Sequence, residues 1–192
     1  MSVVNSETPV ILSTSDVDSK RALLAELLRQ RASKPVTAPV SFAQQRLWFL
    51  DQLEPGSPVY NVNSVVRLQG ELDVAALERS FSFLVQRHET LRTTFELQDG
   101  TPAQVIAPHL QLVVDQTDLE EEFSGKDATA QRETLTSVLE KEALKPFDLA
   151  KGPLLRVKLL RLGAEDHVLS LTMHHIISDG WSMGVLINEL VS

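Results

Sequence analysis

Hydrophobic and polar residues along this chain follow two different periods, which predicts that helices and strands are interleaved. Apolar residues that recur every three or four positions are typical of helices with one buried face, whereas strict alternation or a short apolar run is typical of strands. The helical period occupies residues 18–32, 41–53, 73–88, 127–144 and 181–192. Strand patterns occupy residues 60–69, 91–97, 102–107, 110–114, 154–162 and 167–174.

The turns between these segments favour a mixed sheet over a purely parallel one. Asp99-Gly100 separates two strand patterns and is a strong hairpin signal. Residues 163–166 join the last two strand patterns in the same short way. Hairpins make antiparallel neighbours, so we predict an α/β fold in which a mixed sheet carries helices on one face.

The first 39 residues differ from the remainder and are predicted to form a separate segment. Residues 1–17 are polar and lack periodicity, which predicts a mobile tail, and residues 18–32 form a short amphipathic helix. Pro35 and Pro39 then predict a stiff linker. The helix either packs on the body of the protein or docks a neighbouring chain, and the main body is predicted to occupy residues 40–192.

Composition and charge exclude several classes of protein. The chain has 192 residues and a formal charge of −8, without a basic stripe, so neither nucleic acid nor an anionic membrane is expected as a partner. It contains no cysteine, which excludes disulfides, thiolate nucleophiles and thiolate metal sites. The apolar runs are shorter than the roughly 20 residues of a membrane span. We therefore expect a cytoplasmic protein.

The segment from Leu169 to Gly180, LSLTMHHIISDG, contains the candidate chemistry. Alternation along a strand sends the side chains of His174 and His175 to opposite faces. One histidine is expected to bond within the structure, and the other to face a cavity at the end of the strand. Adjacent strand histidines do not converge on one ion, so we predict no metal site here.

Four ordered motifs carry a resemblance to a known family. They are Ser41–Leu53 (SFAQQRLWFLDQL), Arg87–Phe95 (RHETLRTTF), Pro146–Arg156 (PFDLAKGPLLR) and residues 174–180 (HHIISDG). Together they resemble the motifs of nonribosomal peptide synthetase condensation domains, which are relatives of chloramphenicol acetyltransferase. The resemblance implies a chloramphenicol acetyltransferase-like two-layer sandwich. It also implies a single lobe of a two-lobed domain, with the motifs of the second lobe absent.

The resemblance further implies a function and a set of partners. Condensation domains join an acyl or peptidyl thioester to an aminoacyl thioester, both tethered to carrier proteins, and the motifs look most like the L-to-L type. No cofactor is expected to be bound directly, since phosphopantetheine arrives on the carrier proteins. The expected partners are these carriers and the remainder of a synthetase, including a second condensation lobe and an adenylation domain.

By position in the motifs, the resemblance implies roles for individual residues. His175 would be the catalytic residue, which either takes a proton from the attacking amine or holds that amine by a hydrogen bond, and His174 would support it structurally. The backbone of Gly180 would approach the pantetheine or thioester, unless Gly180 only starts the following helix. Asp179 would form a buried salt bridge to an arginine, for which Arg87 and Arg92 are the local candidates and Arg87 is preferred. Independently of the family, both tryptophans are expected in the core. The other three histidines are expected on the surface or in turns, and the sequence identifies no partners for them.

Three functions remain open from the sequence. The first is the amino-terminal lobe of a condensation domain, expected to be inactive without its second lobe. The second is a catalytically silent, truncated remnant or carrier-docking module. The third is an acyltransferase that assembles its site between identical copies of this chain.

Overall fold

The computed structural model describes the backbone of residues 14–190 and the side chains of residues 18–27 and 33–190. The chain divides into two compact units between Lys34 and Pro35. The first unit contains helix α1 (Thr14–Ala32), which begins inside the segment that was predicted to be a tail. The remainder of that tail and the last two residues of the predicted final helix lie outside the described residues.

The second unit contains all the other elements. Its helices are α2 (Phe42–Leu53), α3 (Val74–Arg87), α4 (Glu120–Phe123), α5 (Ala128–Ala143) and α6 (Gly180–Leu190). Its strands are β1 (Val36–Pro39), β2 (Asn61–Gln69), β3 (Thr93–Gln98), β4 (Thr101–Ile106), β5 (Val114–Asp118), β6 (Leu155–Gly163) and β7 (Asp166–His174). Two 3₁₀ turns cover Pro58–Tyr60 and Glu89–Arg92. No helix among the described residues is long and apolar enough to cross a membrane.

The strands form two sheets, and the predicted α/β class is confirmed. One sheet has the order β1-β4-β3 and is antiparallel throughout. The other has the order β2-β7-β6-β5 and is mixed, because β5 runs parallel to β6 while the other pairs are antiparallel. The Asp99-Gly100 hairpin joins β3 to β4 as predicted, with both residues at positive φ.

Helices cover both faces of the mixed sheet, which corrects the prediction of a single helical face. Leu169, Leu171 and Met173 of β7 pack with α3 and α6, whereas Val168 packs with α4 and α5. Strand β6 is buried on both sides, and its apolar run without clean alternation is the pattern expected for such a strand.

Local capping interactions fix the starts of three helices. Ser41 and Gln44 form a capping box at the start of α2. Asp73 caps α3 and Asp127 caps α5 through hydrogen bonds to backbone N–H groups. These interactions are local, and the helices therefore begin within one residue of the positions that the sequence predicts.

Two predictions about elements and one about burial were wrong. The proline-flanked segment from Val36 to Pro39 is strand β1 rather than a linker, and it pairs with β4. The strand expected at 110–114 begins at Val114, where it joins β6. Trp181, expected in the core, is 83% exposed, while Trp48 is half-buried against the core.

Candidate active site

The end of β7 is the point where the two histidines separate. The N–H of His174 donates to the carbonyl of Leu154, at 3.0 Å, on one neighbouring segment. The N–H of His175 donates to the carbonyl of Tyr60, at 2.8 Å, on the other. Donation in opposite directions by consecutive residues is the alternation of a strand, and it sends the two imidazoles to opposite sides. His174 is buried and His175 is exposed, which agrees with the opposite directions expected for the two side chains.

His174 is a buried, uncharged histidine. The residue is 2% exposed. Its ring packs against the ring of Tyr60 and edge-on against that of Phe147, with the ring centroids 6.2 Å apart in each case. Its Nδ1 accepts a hydrogen bond of 3.1 Å from the N–H of Ile176, so Nδ1 carries no proton. Burial, and secondarily the charge of His175, lowers the pKa of His174 to about 4.

His175 is exposed, and one of its ring nitrogens is hydrogen-bonded to the backbone. Its residue is exposed, and its Nδ1 lies 2.6 Å from the carbonyl oxygen of Ser178. A carbonyl oxygen only accepts hydrogen bonds, so Nδ1 must carry the proton and donate it. In the neutral ring the lone pair is then on Nε2, and this tautomer can accept a proton at Nε2 while Nδ1–H remains bonded.

Asp179 does not form the expected salt bridge, and that prediction was wrong. Its residue is exposed, and its Oδ1 accepts hydrogen bonds from the N–H and the hydroxyl of Ser182, at 2.7 and 2.6 Å. These hydrogen bonds lower the pKa of the Asp179 carboxyl. Asp179 directly precedes α6, where a short carboxylate reaches the free amides of the first turn. The carboxylate is therefore the helix cap rather than a buried ion.

The two arginines that were expected to pair with Asp179 have other partners. Arg87 is exposed, and its Nε lies 3.7 Å from Oε1 of Glu189 in α6. Arg92 is nearly buried, and its guanidinium donates to the carbonyl of Ala107 and contacts Glu89. Neither arginine contacts the His174–Asp179 segment through a hydrogen bond or ion pair.

The structure gives His88 a partner that the sequence did not identify, and it places His167 differently from expectation. His88 bonds Glu189 at 2.6 Å, which joins the end of α3 to the end of α6 and lowers the pKa of the Glu189 carboxyl. His167 is buried rather than on the surface. His109 is exposed as predicted, although its Nδ1 lies 3.3 Å from Oε1 of Gln86.

A mainly apolar cavity of about 170 Å³ lies beside the histidine loop, at the start of α6. Its lining includes Leu91, Met173, Ile177, Ser178 and Trp181. Gly180 is adjacent to Trp181, and a Cβ placed on it would meet no atom within 4 Å. Its φ is not in the left-handed region, so the turn itself does not require glycine. Among the described residues, no group of three acidic or histidine side chains is arranged to hold a metal ion.

The sequence did not reveal that side chains from two other motifs reach this loop. Gln44 of the first motif and Thr90 of the second donate hydrogen bonds to the carbonyls of Ile176 and Ile177. The residues around Gln44 indicate only the capping box at the start of α2, and Thr90 carries no separate signal. Both partners are distant in sequence, so local pattern does not predict these contacts.

Comparison with known proteins identifies the family. The profile of the condensation-domain family matches residues 35–192. The chain is 48% identical to one of the proteins of linear gramicidin synthase from Brevibacillus parabrevis over 163 residues, which are 84% of this chain and 3% of that protein. It is 46% identical to chondramide synthase of Chondromyces crocatus over 151 residues, which are 79% of this chain and 4% of that protein.

Solved condensation domains share the fold. The first condensation domain of the calcium-dependent antibiotic synthetase matches with a TM-score of 0.69 and 27% identity, over 81% of this chain and 36% of that one. The starter condensation domain of rhizomide synthetase matches with a TM-score of 0.72 over the same shares, and at 24% identity it supports the fold alone. The chain thus spans about a third of these solved domains. It belongs to the condensation-domain family of nonribosomal peptide synthetases.

Proposed function

We propose that this chain forms the amino-terminal lobe of a condensation domain that makes amide bonds between carrier-tethered thioesters. The observation that carries the proposal is the geometry of His175, whose exposed ring has Nδ1–H bonded to Ser178 and its Nε2 lone pair free. The chain's membership of the condensation-domain family supports the same reaction. The amino-acid sequences of the four motifs favour the L-to-L type, in which donor and acceptor are both L-configured.

The proposed reaction is aminolysis of a thioester. The acceptor amine attacks the carbonyl carbon of the donor, a C–N bond forms, the C–S bond breaks, and the sulfur of the donor carrier's phosphopantetheine leaves as a thiol. His175 Nε2 takes a proton from the attacking nitrogen and can return it to the sulfur. General-base assistance of this kind contributes about 10²–10⁴-fold to a rate. Positioning of the two thioesters must supply much of the remainder.

The ring of His175 is well prepared for this role. When Nε2 gains a proton the imidazolium becomes positive, and the carbonyl oxygen of Ser178 already faces Nδ1–H at 2.6 Å. This hydrogen bond strengthens as the ring becomes charged, because a charged donor forms the stronger bond. Buried, neutral His174 places no second positive charge beside it near neutral pH.

The proposal also covers the approach of the substrate, the source of phosphopantetheine, the partner domains and the location of the protein. Gly180 leaves open space where a thioester or pantetheine can approach the backbone. Phosphopantetheine is supplied by the carrier proteins rather than held by this lobe. A second lobe and an adenylation domain of the same synthetase are the proposed partners, and the exposed face of His175 would form one wall of a cleft between the lobes. The cytoplasm is the proposed location.

The test is transfer between two loaded carrier proteins, followed by product mass. The chain is joined to the carboxyl-terminal part of the condensation domain that it matches in linear gramicidin synthase. We expect His175→Ala to lower the single-turnover rate by about 10² or more, as removal of a general base does. His109→Ala removes another exposed imidazole and should leave the rate unchanged. Equal rates for His175→Ala and the unsubstituted protein would refute the proposal.

A further inference from the structure

Hydrogen bonds hold the histidine loop in two distinct ways. Within the loop, the N–H of Ile177 and the hydroxyl of Ser178 donate to the carbonyl of His174, at 3.1 and 3.3 Å. These bonds define the shape of the turn. They do not attach it to the body of the protein, so its position must come from contacts with other elements.

Thr90 makes one of these outside contacts. Its hydroxyl donates to the carbonyl of Ile177 at 2.9 Å, across 87 residues of sequence. Thr90 belongs to the 3₁₀ turn Glu89–Arg92, where Leu91 is buried and the hydroxyl of Thr93 closes the turn on the carbonyl of Glu89 at 2.8 Å. The donor is therefore attached to a rigid part of the structure.

Gln44 makes a second outside contact, and its amide has a single consistent orientation. Its Oε1 accepts from the N–H of Ser41 at 2.9 Å. Its Nε2 donates to Oε1 of Gln104 at 3.1 Å and to the carbonyl of Ile176 at 3.4 Å. Gln104 in turn donates to the carbonyl of Pro39 at 2.8 Å. Exchanging the nitrogen and oxygen of Gln44 would place donor against donor at Ser41, so Nε2 faces the loop.

The two outside contacts hold consecutive carbonyls directly before the one that bonds His175. We propose that Thr90 and Gln44 are positioning residues. By holding the carbonyls of Ile177 and Ile176, they fix the place of the Ser178 carbonyl and thereby keep the proton of His175 on Nδ1. Thr90 is the stronger contributor, because its hydrogen bond is 0.5 Å shorter (3.4 − 2.9). The inference rests on the proposed role of His175 for its importance in catalysis, but its geometry is testable without activity.

The experiment reads the tautomer of His175 directly, by ¹⁵N NMR of the histidine rings in this chain. In the unsubstituted protein we expect protonated Nδ1 and bare Nε2 at a pH where the ring is neutral. Thr90→Val keeps the shape of the side chain and removes the donor. Since one neutral hydrogen bond is lost, the preference for the Nδ1–H tautomer should fall about 3- to 10-fold. Thr90→Ser restores the hydroxyl and should restore the preference.

The controls separate positioning from a general loss of structure. Thr94→Val removes another threonine hydroxyl bond, to the carbonyl of Val105, and should leave the His175 ring unchanged. Gln44→Glu keeps the oxygen that caps α2 but replaces the donor by an acceptor, and should weaken the preference. Gln45→Glu makes the same charge change at the adjacent exposed residue and should have no effect.

The outcomes are distinct from those of the transfer assay. In the joined domain, Thr90→Val should lower kcat by at most the same 3- to 10-fold, because the rate follows the fraction of rings in the Nδ1–H tautomer. KM should be unchanged, since the substrate contacts are not altered. A folded Thr90→Val protein with an unchanged His175 tautomer would overturn the inference, even if His175→Ala abolished transfer. A shifted tautomer would support it, even if His175→Ala had no effect on transfer.

Discussion

Arg156 lies over the ring of Phe147, with its guanidinium carbon 3.8 Å from the ring centroid. The same ring meets buried His174 edge-on. The guanidinium of Arg156 also donates to Oε1 of Glu142 at 3.0 Å and to the carbonyl of Lys145 at 2.7 Å, at the end of α5. The motif that precedes the histidines thus connects a partly buried ion pair to the packing around His174.

We predict that Arg156→Met destabilises the protein by about 3 kcal/mol, the lower part of the range for breaking a buried pair. The reason is that Glu142 is 4% exposed and would keep a buried charge. Lys145, at 2.6 Å from the other carboxylate oxygen, limits the loss. Urea denaturation gives the free energy of unfolding. The double variant Glu142→Gln, Arg156→Met leaves no buried charge and should be less destabilised than Arg156→Met alone; the opposite order would contradict this account.

The low pKa of His174 predicts a dependence of stability on pH. The unfolded chain binds a proton at His174 below about pH 6.5, the ordinary value, whereas the folded chain binds it only below about pH 4. The free energy of unfolding therefore falls as the pH falls from about 6.5 to 4. This difference between the two pKa values corresponds to about 3 kcal/mol of unfolding free energy. That contribution is present in full above pH 6.5 and is lost as the pH falls to about 4.

His174→Asn isolates this effect, because the asparagine oxygen can accept the Ile176 N–H in place of Nδ1. Thermal or urea unfolding at several pH values should show a flatter curve between pH 4 and 6.5 for the variant. Above pH 6.5 the two curves should run parallel. Parallel curves across the whole range would show that His174 takes up its proton equally in both states.

Trp181 is a large hydrophobic residue that is exposed, so we expect it to contribute little to the stability of this chain. It is 83% exposed at the start of α6, while Leu186 in the same helix is 4% exposed. Trp181→Ala should change the free energy of unfolding of this chain by less than about 0.5 kcal/mol. Leu186→Ala should cost about 2–5 kcal/mol, because it leaves a cavity in the core. Comparable losses for the two variants would mean that Trp181 is buried after all.

Gly152 is expected to tolerate no side chain. Its φ is +61°, a left-handed value that costs L-residues about 1–2 kcal/mol, and an added Cβ would lie 2.9 Å from the Cγ2 methyl of Thr94. Gly152→Ala should therefore destabilise the protein by at least that amount in urea denaturation. Thr94→Ser removes the methyl group, so adding it should recover part of the loss. If Thr94→Ser recovered none of the loss, the whole destabilisation would come from the left-handed backbone conformation at residue 152.

Much of the fold could be predicted because its signals are local. Asp73 and Asp127 cap helices that begin one residue later, and Asp99-Gly100 forms the predicted hairpin. The opposite directions of His174 and His175 also follow from strand geometry alone. These predictions needed only a few consecutive residues.

The remainder depended on contacts between distant segments. Nothing near Gln44 indicates that its amide reaches a carbonyl 132 residues away. The expected salt bridge of Asp179 came from the family resemblance, whereas in this chain Ser182 satisfies the carboxylate locally. Hydrophobicity placed Trp181 in the core, but the burial of a side chain depends on which element covers it.

Residue-by-residue carbethoxylation, measured together with transfer activity, tests the central claim most directly. The reagent attacks accessible, neutral imidazole nitrogens, and His175 is an exposed residue while His174 is buried. In the joined domain we predict that transfer activity falls in step with modification of His175, while His174 remains unmodified. Activity that survives complete modification of His175, or that disappears while His175 is still free, would contradict the account.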